Sequence, residues 1–170
     1  MKDVLPKAID AKEALQRLQH LCAKQEKCLA DVRKKMRSWN LTQPEMEEVE
    51  RQLLAGKFVD EARYAAAFAR ERAAFSRWGA LKIKAALRAK NIANDVVDSA
   101  LREVDGKRQL DILSKDLQKK AQTLRAKSPH DLPAKLMRFG ISRGYEYEAV
   151  KEAVREAIKK LESDSLRNEK

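Results

Sequence analysis

The chain has 170 residues, of which 37% are charged and 5% are aromatic, with only five Gly and four Pro. A composition rich in helix formers and poor in helix breakers favours an all-α protein. The formal net charge of +11 creates a field that attracts polyanions or acidic surfaces, unless the basic side chains are merely solvated. No apolar stretch approaches the ~20 residues of a membrane span, and the N-terminus lacks the apolar core of a signal peptide, so we expect a cytoplasmic protein.

Residues with catalytic or metal-binding potential are few and poorly spaced for such roles. Cys22 and Cys28 match neither a disulfide framework nor a CxxC motif, and nearby His20 does not complete a tetrahedral metal site. The acid pair Asp60 and Glu61 has no His, Ser or Cys partner suggested by spacing, and no phosphate-binding glycine loop occurs. We therefore expect no cofactor and no metal, and a binding or regulatory protein in preference to an enzyme.

In chain order, residues 1–10 are expected to form a flexible arm. Apolar residues at helical spacing then run from Leu15 to Trp39, and this periodicity leaves open whether one long helix or two packed helices cover the stretch. Thr42, with Glu45 three residues later, predicts a capping box at the start of the next helix. Asp60 predicts the start of the helix after that. Residues 162–170 are polar and aperiodic, so we expect a disordered tail.

Three segments share one internal spacing: two apolar residues four apart, then a residue suited to positive φ, then another apolar residue. They are Val32–Met36–Asn40–Leu41, Ile83–Leu87–Asn91–Ile92 and Leu132–Leu136–Gly140–Ile141. Asn or Gly at such a position ends a helix in the left-handed conformation, and the next side chain folds back onto the helix. Because the segments lie 51 and then 49 residues apart, the sequence predicts three tandem three-helix repeats, over residues 11–57, 58–104 and 105–161.

Basic residues recur beside the apolar positions of the second helix in each predicted repeat. In the central repeat, Ile83 and Leu87 are expected to face inward, whereas Lys84 and Arg88 are neighbours that repel one another by roughly a few tenths of a kcal/mol. This arrangement suits an anionic partner, and the recurring residues are expected to line one surface that follows a phosphate backbone or an acidic groove. The predicted partner-binding residues are Arg33, Lys34, Lys35, Arg37, Lys82, Lys84, Arg88, Lys90, Lys135, Arg138 and Arg143.

The stretch from Phe58 to Leu101 resembles the central signature of the RecX family, the small bacterial regulators of the RecA recombinase. The matching positions are Phe58, Val59, Asp60, Glu61, Arg63, Tyr64, Ala65, Phe68, Arg72, Gly79, Lys82, Ile83, Lys84, Leu87, Lys90 and Ile92. Where the family usually has Gly, this chain has Asn91. The resemblance implies an elongated, curved, solenoid-like all-α molecule that binds in the groove of the RecA–DNA filament. It also implies that the protein modulates, and mostly inhibits, the recombinase, ATPase and coprotease activities of RecA in DNA repair and the SOS response.

Composition by itself favours a different function, that of a basic helical module that binds DNA directly without sequence specificity. Such binding would weaken steeply with salt and would need no RecA. We expect a monomer whose partner is the RecA filament on DNA, and the sequence leaves a direct contact with the DNA open.

Overall fold

The structure, a computed structural model, describes residues 9–125 and 131–168. These residues form nine α-helices and no strand, which confirms the predicted all-α class. The helices are α1 (Ala11–Lys24), α2 (Leu29–Ser38), α3 (Gln43–Ala55), α4 (Glu61–Ala74), α5 (Ala80–Arg88), α6 (Asn94–Arg102), α7 (Gly106–Arg125), α8 (Leu132–Ser142) and α9 (Tyr147–Asn168). Most of the predicted arm, residues 1–8, and residues 126–130, which include most of the predicted turn, lie outside the described residues. Within the described stretches, no helix is both long and apolar enough to cross a membrane.

The chain divides into two compact bodies, and the division falls inside α4, α5 and α6. The first body contains residues 9–67 and 87–97, and the second contains residues 68–86, 98–125 and 131–168. In the first, α1 and α2 pack on α3 around Leu18, Met36 and Leu53, which are fully buried. In the second, α7, α8 and α9 pack against one another around Leu117 and Leu136. Each core consists of the apolar stripes of three amphipathic helices.

Two predicted helix starts are confirmed by their hydrogen bonds. The Thr42 backbone N–H donates to Glu45 Oε2 at 2.8 Å, which forms the capping box at the start of α3. The Arg63 backbone N–H donates to Asp60 Oδ1 at 2.8 Å at the start of α4. In both places a side-chain oxygen satisfies an N–H group that has no acceptor within the helix.

The region from Leu15 to Trp39 forms two helices, not one. The break follows Lys24, and α2 begins after Cys28, whose side chain makes no capping bond. The cap comes from α4 instead, because the Leu29 backbone N–H donates to Glu61 Oε1 at 3.1 Å. The cap of α2 therefore depends on a residue 32 positions away, which local periodicity does not reveal.

The left-handed helix ends are confirmed in the first two repeats, but the predicted third position is wrong. Asn40 and Asn91 have φ of 58° and 60°. Gly140, however, lies inside α8, and the left-handed residue is Gly144, with φ of 86°. The bond that closes this turn runs from the Tyr145 N–H to the Gly140 carbonyl at 3.4 Å.

The third segment is therefore Leu136–Gly140–Gly144–Tyr145, one helical turn after the predicted one. Gly140 is buried, and a Cβ added there would collide with the side chain of Val150. The absence of a side chain at Gly140 allows α8 to pack closely against α9. Glycine is also common at helix ends, which is why the spacing in the sequence predicted a helix end at Gly140.

Both predicted terminal segments are shorter than expected where the structure describes them. α9 continues to Asn168, so residues 162–168 are helical and the prediction of disorder is wrong for them. This stretch contains no Gly or Pro, and extending an existing helix avoids the cost of nucleating a new one. At the other end, Ile9 is buried in the first core and Asp10 caps α1 by accepting the Glu13 N–H at 2.7 Å.

The start of α5 lies directly against the turn between α8 and α9. The Gly79 N–H donates to the Arg143 carbonyl at 2.8 Å, and the Leu81 N–H donates to the Gly144 carbonyl at 3.0 Å. A Cβ at Gly79 would overlap the backbone of Gly144, and a Cβ at Gly144 would overlap Lys82. Because both positions are glycine, the turn after α8 lies close enough for its carbonyls to accept the first N–H groups of α5.

Replacing Gly144 by Ala should lower the free energy of unfolding by about 2 kcal/mol or more. The positive φ alone costs a residue with a Cβ about 1–2 kcal/mol, and the overlap with Lys82 adds to that cost. Gly106→Ala is the matched control, because a Cβ there meets nothing within 4 Å. The control should keep or raise the stability by up to about 1 kcal/mol. Urea unfolding of both variants checks this, and equal stabilities would contradict the close contact described above.

Candidate partner-binding surface

The predicted partner-binding residues all lie on, or directly after, the second helix of a three-helix unit. Those of the first unit are on α2, those of the central unit are on α5 or in the turn after it, and those of the third are on α8 or in the turn after it. Most of them make contacts inside the chain. Their contacts separate residues that support the fold from residues that remain available to a partner.

In the central unit, the lysines at the predicted surface are half-buried and engaged. Lys84 forms an ion pair with Asp98 at 2.8 Å. The Lys82 Nζ donates to the Ser142 carbonyl at 3.1 Å and lies 4.8 Å from the centroid of the Trp78 ring. Reversing these two charges would therefore disturb the packing of α5 as well as any binding.

Lys90 forms the most enclosed of the described ion pairs between the first and central units. Its Nζ lies 2.6 Å from Asp31 Oδ1 and 5.8 Å from the centroid of the Tyr64 ring, and the Cys28 Sγ donates to the other Asp31 oxygen. Burial opposes the charged form of both groups, but the hydrogen bond between them outweighs it. The pKa of Asp31 is therefore lowered, helped by the bond from Cys28, and the pKa of Lys90 is raised.

Four other predicted residues also have partners within the chain. Arg33 binds both carboxylate oxygens of Glu50, at 2.8 and 2.7 Å. Lys35 and Arg143 lie over aromatic rings, 5.4 Å from the centroid of Trp39 and 5.1 Å from that of Phe139. The fourth, Lys135, pairs with Asp131, the residue immediately before its own helix. Cation–π contacts and helix-surface ion pairs of this kind contribute roughly 1 kcal/mol or less each.

The remaining predicted residues are exposed, and we call them the exposed basic set: Lys34, Arg37, Arg88 and Arg138. Arg88 donates to Asn94 Oδ1 at 2.9 Å, whereas the other three have no hydrogen bond or ion pair to any described residue. Counted from the left-handed residue that ends each turn, Lys34 and Arg138 occupy equivalent positions, as do Arg37 and Arg88. The exposed basic set therefore offers positive charge to a partner at positions that recur between units.

Several signature residues of the central stretch have structural roles. Glu61 caps α2, and Arg63 bonds Glu26 at 2.5 Å. The Arg72 guanidinium lies 5.1 Å from the centroid of Phe68 and 5.2 Å from that of Trp78. In the stretches that the structure describes, no group of three or more His, Cys, Asp or Glu is placed to hold a metal ion.

One group of basic residues was missed by the sequence reasoning. Arg77, Lys119 and Lys120 line a cleft with Phe139 and Arg143. Lys119 and Lys120 are on α7, the first helix of the third unit, whereas the predicted surface followed the second helices. The four-residue spacing of Lys115 and Lys119 is the signal that would have pointed to this side of α7.

The fold and its repeated helix ends define a protein built of tandem three-helix domains. Two family models match consecutive parts of the chain: "RecX, second three-helix domain" over residues 60–101, and "RecX, third three-helix domain" over residues 108–154. Together they match more than half of the chain. The chain belongs to the RecX family, a family of regulatory proteins.

Individual relatives agree with this assignment. The chain is 31% identical over 103 residues to a protein named regulatory protein RecX from Clostridium botulinum (strain Eklund 17B / Type B), a match that covers 59% of this chain and 48% of the relative. It is 33% identical over 105 residues to the regulatory protein RecX of Clostridium tetani, covering 60% of this chain and 47% of that one. The match thus spans about half the length of these curated relatives.

Solved structures share the fold at lower sequence identity. A crystal structure of regulatory protein RecX superposes with a TM-score of 0.76 at 20% identity, covering 86% of this chain and 71% of the other. The crystal structure of RecX from Lactobacillus salivarius superposes with a TM-score of 0.74, also at 20% identity, covering 87% of this chain and 96% of the other. These superpositions support the helical repeat fold.

The Lys90–Asp31 pair should show measurable coupling in a double-mutant cycle made with Lys90→Met and Asp31→Asn. We expect about 1 kcal/mol at neutral pH, because both groups are half-buried. The lowered pKa of Asp31 means that its contribution is present above the unfolded-state value of ~3.9 and is lost as the pH falls through its folded-state pKa. The same cycle on the exposed pair Arg155–Glu152 is the control and should show no resolvable coupling. Coupling that is unchanged in acid would contradict the ion-pair assignment.

Proposed function

We propose that this chain binds the RecA filament assembled on DNA and limits its recombinase, ATPase and coprotease activities. Membership of a family of regulatory proteins supports a regulatory role. The observation that carries the proposal further is the exposed basic set, in which Lys34 and Arg138 recur at equivalent positions of the first and third units, and Arg37 and Arg88 at equivalent positions of the first and central units.

Repetition is the physical reason for choosing a filament as the partner. A chain of tandem units presents chemically similar helix faces at regular intervals of the sequence. A filament likewise presents the same acidic or phosphate-bearing surface once per subunit. Matching one repeat to another lets several modest charge contacts add up, with little gain from any single one. This expectation agrees with the small free-energy contribution of an isolated exposed ion pair.

The charges of the chain also favour regulation by binding to the filament over regulation by a catalysed reaction. The net charge of +11 accelerates the approach to a polyanionic filament. Both cysteine thiols are buried, and burial raises the pKa of each, so neither is primed as a nucleophile. A bound chain would act by covering a surface that RecA needs for its cycle.

The test is the ATPase of RecA on single-stranded DNA, titrated with the full chain in the presence and absence of excess competitor DNA. Inhibition is expected at or below one chain per RecA subunit, and it should persist with competitor DNA because the protein filament supplies part of the site. Inhibition that the competitor abolishes completely would overturn the proposal and would favour simple DNA binding.

Reversing charges in the exposed basic set should weaken this inhibition. Lys34→Glu with Arg37→Glu is expected to raise the concentration for half-inhibition by about tenfold, because rim charges mainly slow association. Both residues are exposed and have no ion pair to any described residue, so the fold should be retained. The matched control is Lys12→Glu with Lys24→Glu on α1, which changes the net charge equally. Equal weakening in both variants would show that only total charge matters.

A further inference from the structure

A line of basic side chains follows one side of α7, within the second compact body. Two neighbouring clefts lie along it, with volumes of about 360 Å³ and 390 Å³, and Arg77 lines both. We call the cations of these clefts the α7 basic track: Arg77, Arg108, Lys115, Lys119, Lys120 and Arg143. The four track residues on α7 lie outside the predicted surface, with which the track shares Arg143.

Positive charge dominates both clefts. The acids that line them are Asp116 and Asp111, one in each cleft, against the six cations of the track. Asp116 is already paired with Arg77 and is largely buried at its side chain. Its charge serves to hold Arg77 in place, so the track keeps a clear excess of positive charge.

Two arginines of the track, Arg77 and Arg143, are held in position before any ligand arrives. Arg143 donates to the Ser76 carbonyl at 3.2 Å, and its guanidinium carbon lies 5.1 Å from the centroid of Phe139. Lys120 Nζ lies 5.6 Å from the same centroid. A guanidinium has five N–H donors, and these contacts leave most of them free for a planar anion such as a carboxylate or for the oxygens of a phosphate. Preorganised donors lose less conformational entropy on binding.

Two lysines of the track have no such structural task. Lys115 and Lys119 are exposed, and within residues 9–125 and 131–168 neither side chain has a hydrogen bond or an ion pair. They are four residues apart on one helix, where like charges repel each other. An anion bound between them would turn this unfavourable arrangement into a favourable one.

We propose that the α7 basic track binds the phosphate backbone of a nucleic acid strand. From Arg108 to Lys120 the helix rises about 18 Å, which is long enough for the track to contact several successive phosphates of one strand. An acidic side chain of a protein would occupy one position, whereas a continuous polyanion can occupy the whole track. Phosphate oxygens are the usual acceptors for Arg and Lys at such surfaces. This contact does not depend on the proposed action on RecA.

Fluorescence anisotropy with a labelled 20-nucleotide single strand, and with its duplex, tests the proposal. The full chain, Lys115→Glu with Lys119→Glu, and the control Lys12→Glu with Lys24→Glu are compared over a range of salt concentrations. The track variant should bind at least about tenfold more weakly. Its plot of log affinity against log salt should be shallower by about two, one for each phosphate that is no longer neutralised. The control should change the affinity by less than about threefold, and the two DNA forms show which strand state the track prefers.

Two results would overturn the proposal. The first is equal weakening in the track variant and the control, which would mean that only net charge matters. The second is unchanged oligonucleotide binding by the track variant. If inhibition of RecA is abolished in that second case, the track would be assigned to an acidic protein surface. Thermal unfolding of each variant, with Lys115→Ala and Lys119→Ala as the milder pair, separates a failure to fold from a failure to bind.

Discussion

The contact on which the structure depends most is the capping of one unit's second helix by the following unit. The first N–H groups of a helix have no acceptor of their own, and a buried helix start without partners is costly. α2 receives the Glu61 carboxylate from α4, which also suits the positive end of its dipole. α5 receives two carbonyls from the turn after α8. The two caps use different chemistry for the same purpose, and around each of them lie ion pairs and cation–π contacts that join neighbouring units.

Local signals in the sequence predicted much of the fold because they act over a few residues. The capping box of Thr42 and Glu45, the cap at Asp60 and the left-handed Asn40 and Asn91 each need only near neighbours, and all four are as predicted. The repeated spacing of apolar residues before those asparagines identified the tandem three-helix plan. Consistency between such local choices and the overall packing is what makes a chain predictable at this level.

The predictions from sequence were wrong where a residue far along the chain determines the local structure. Gly140 resembles a helix end by spacing, yet it is glycine because Val150 packs on it, and the true end is Gly144. The break before α2 depends on Glu61. The basic residues show the same limit most clearly. Periodicity placed Lys84 and Lys90 beside an apolar face, but it did not reveal that Asp98 and Asp31 would neutralise them. Helical spacing gives the direction of a side chain and says nothing about what a neighbouring unit brings to it.

The glycine contact between α5 and the turn after α8 limits how far the chain can be treated as a set of interchangeable modules. A fragment ending before α7 would leave the Gly79 and Leu81 amides to water and would expose the Trp78 and Lys82 side chains that now lie near this turn. Insertions in the turn would displace the carbonyls that α5 needs. The connection between α8 and α9 is thus part of the central unit's own structure, although the chain reaches it more than sixty residues later. If the central three helices were moved into another protein, the turn between α8 and α9 would have to be moved with them.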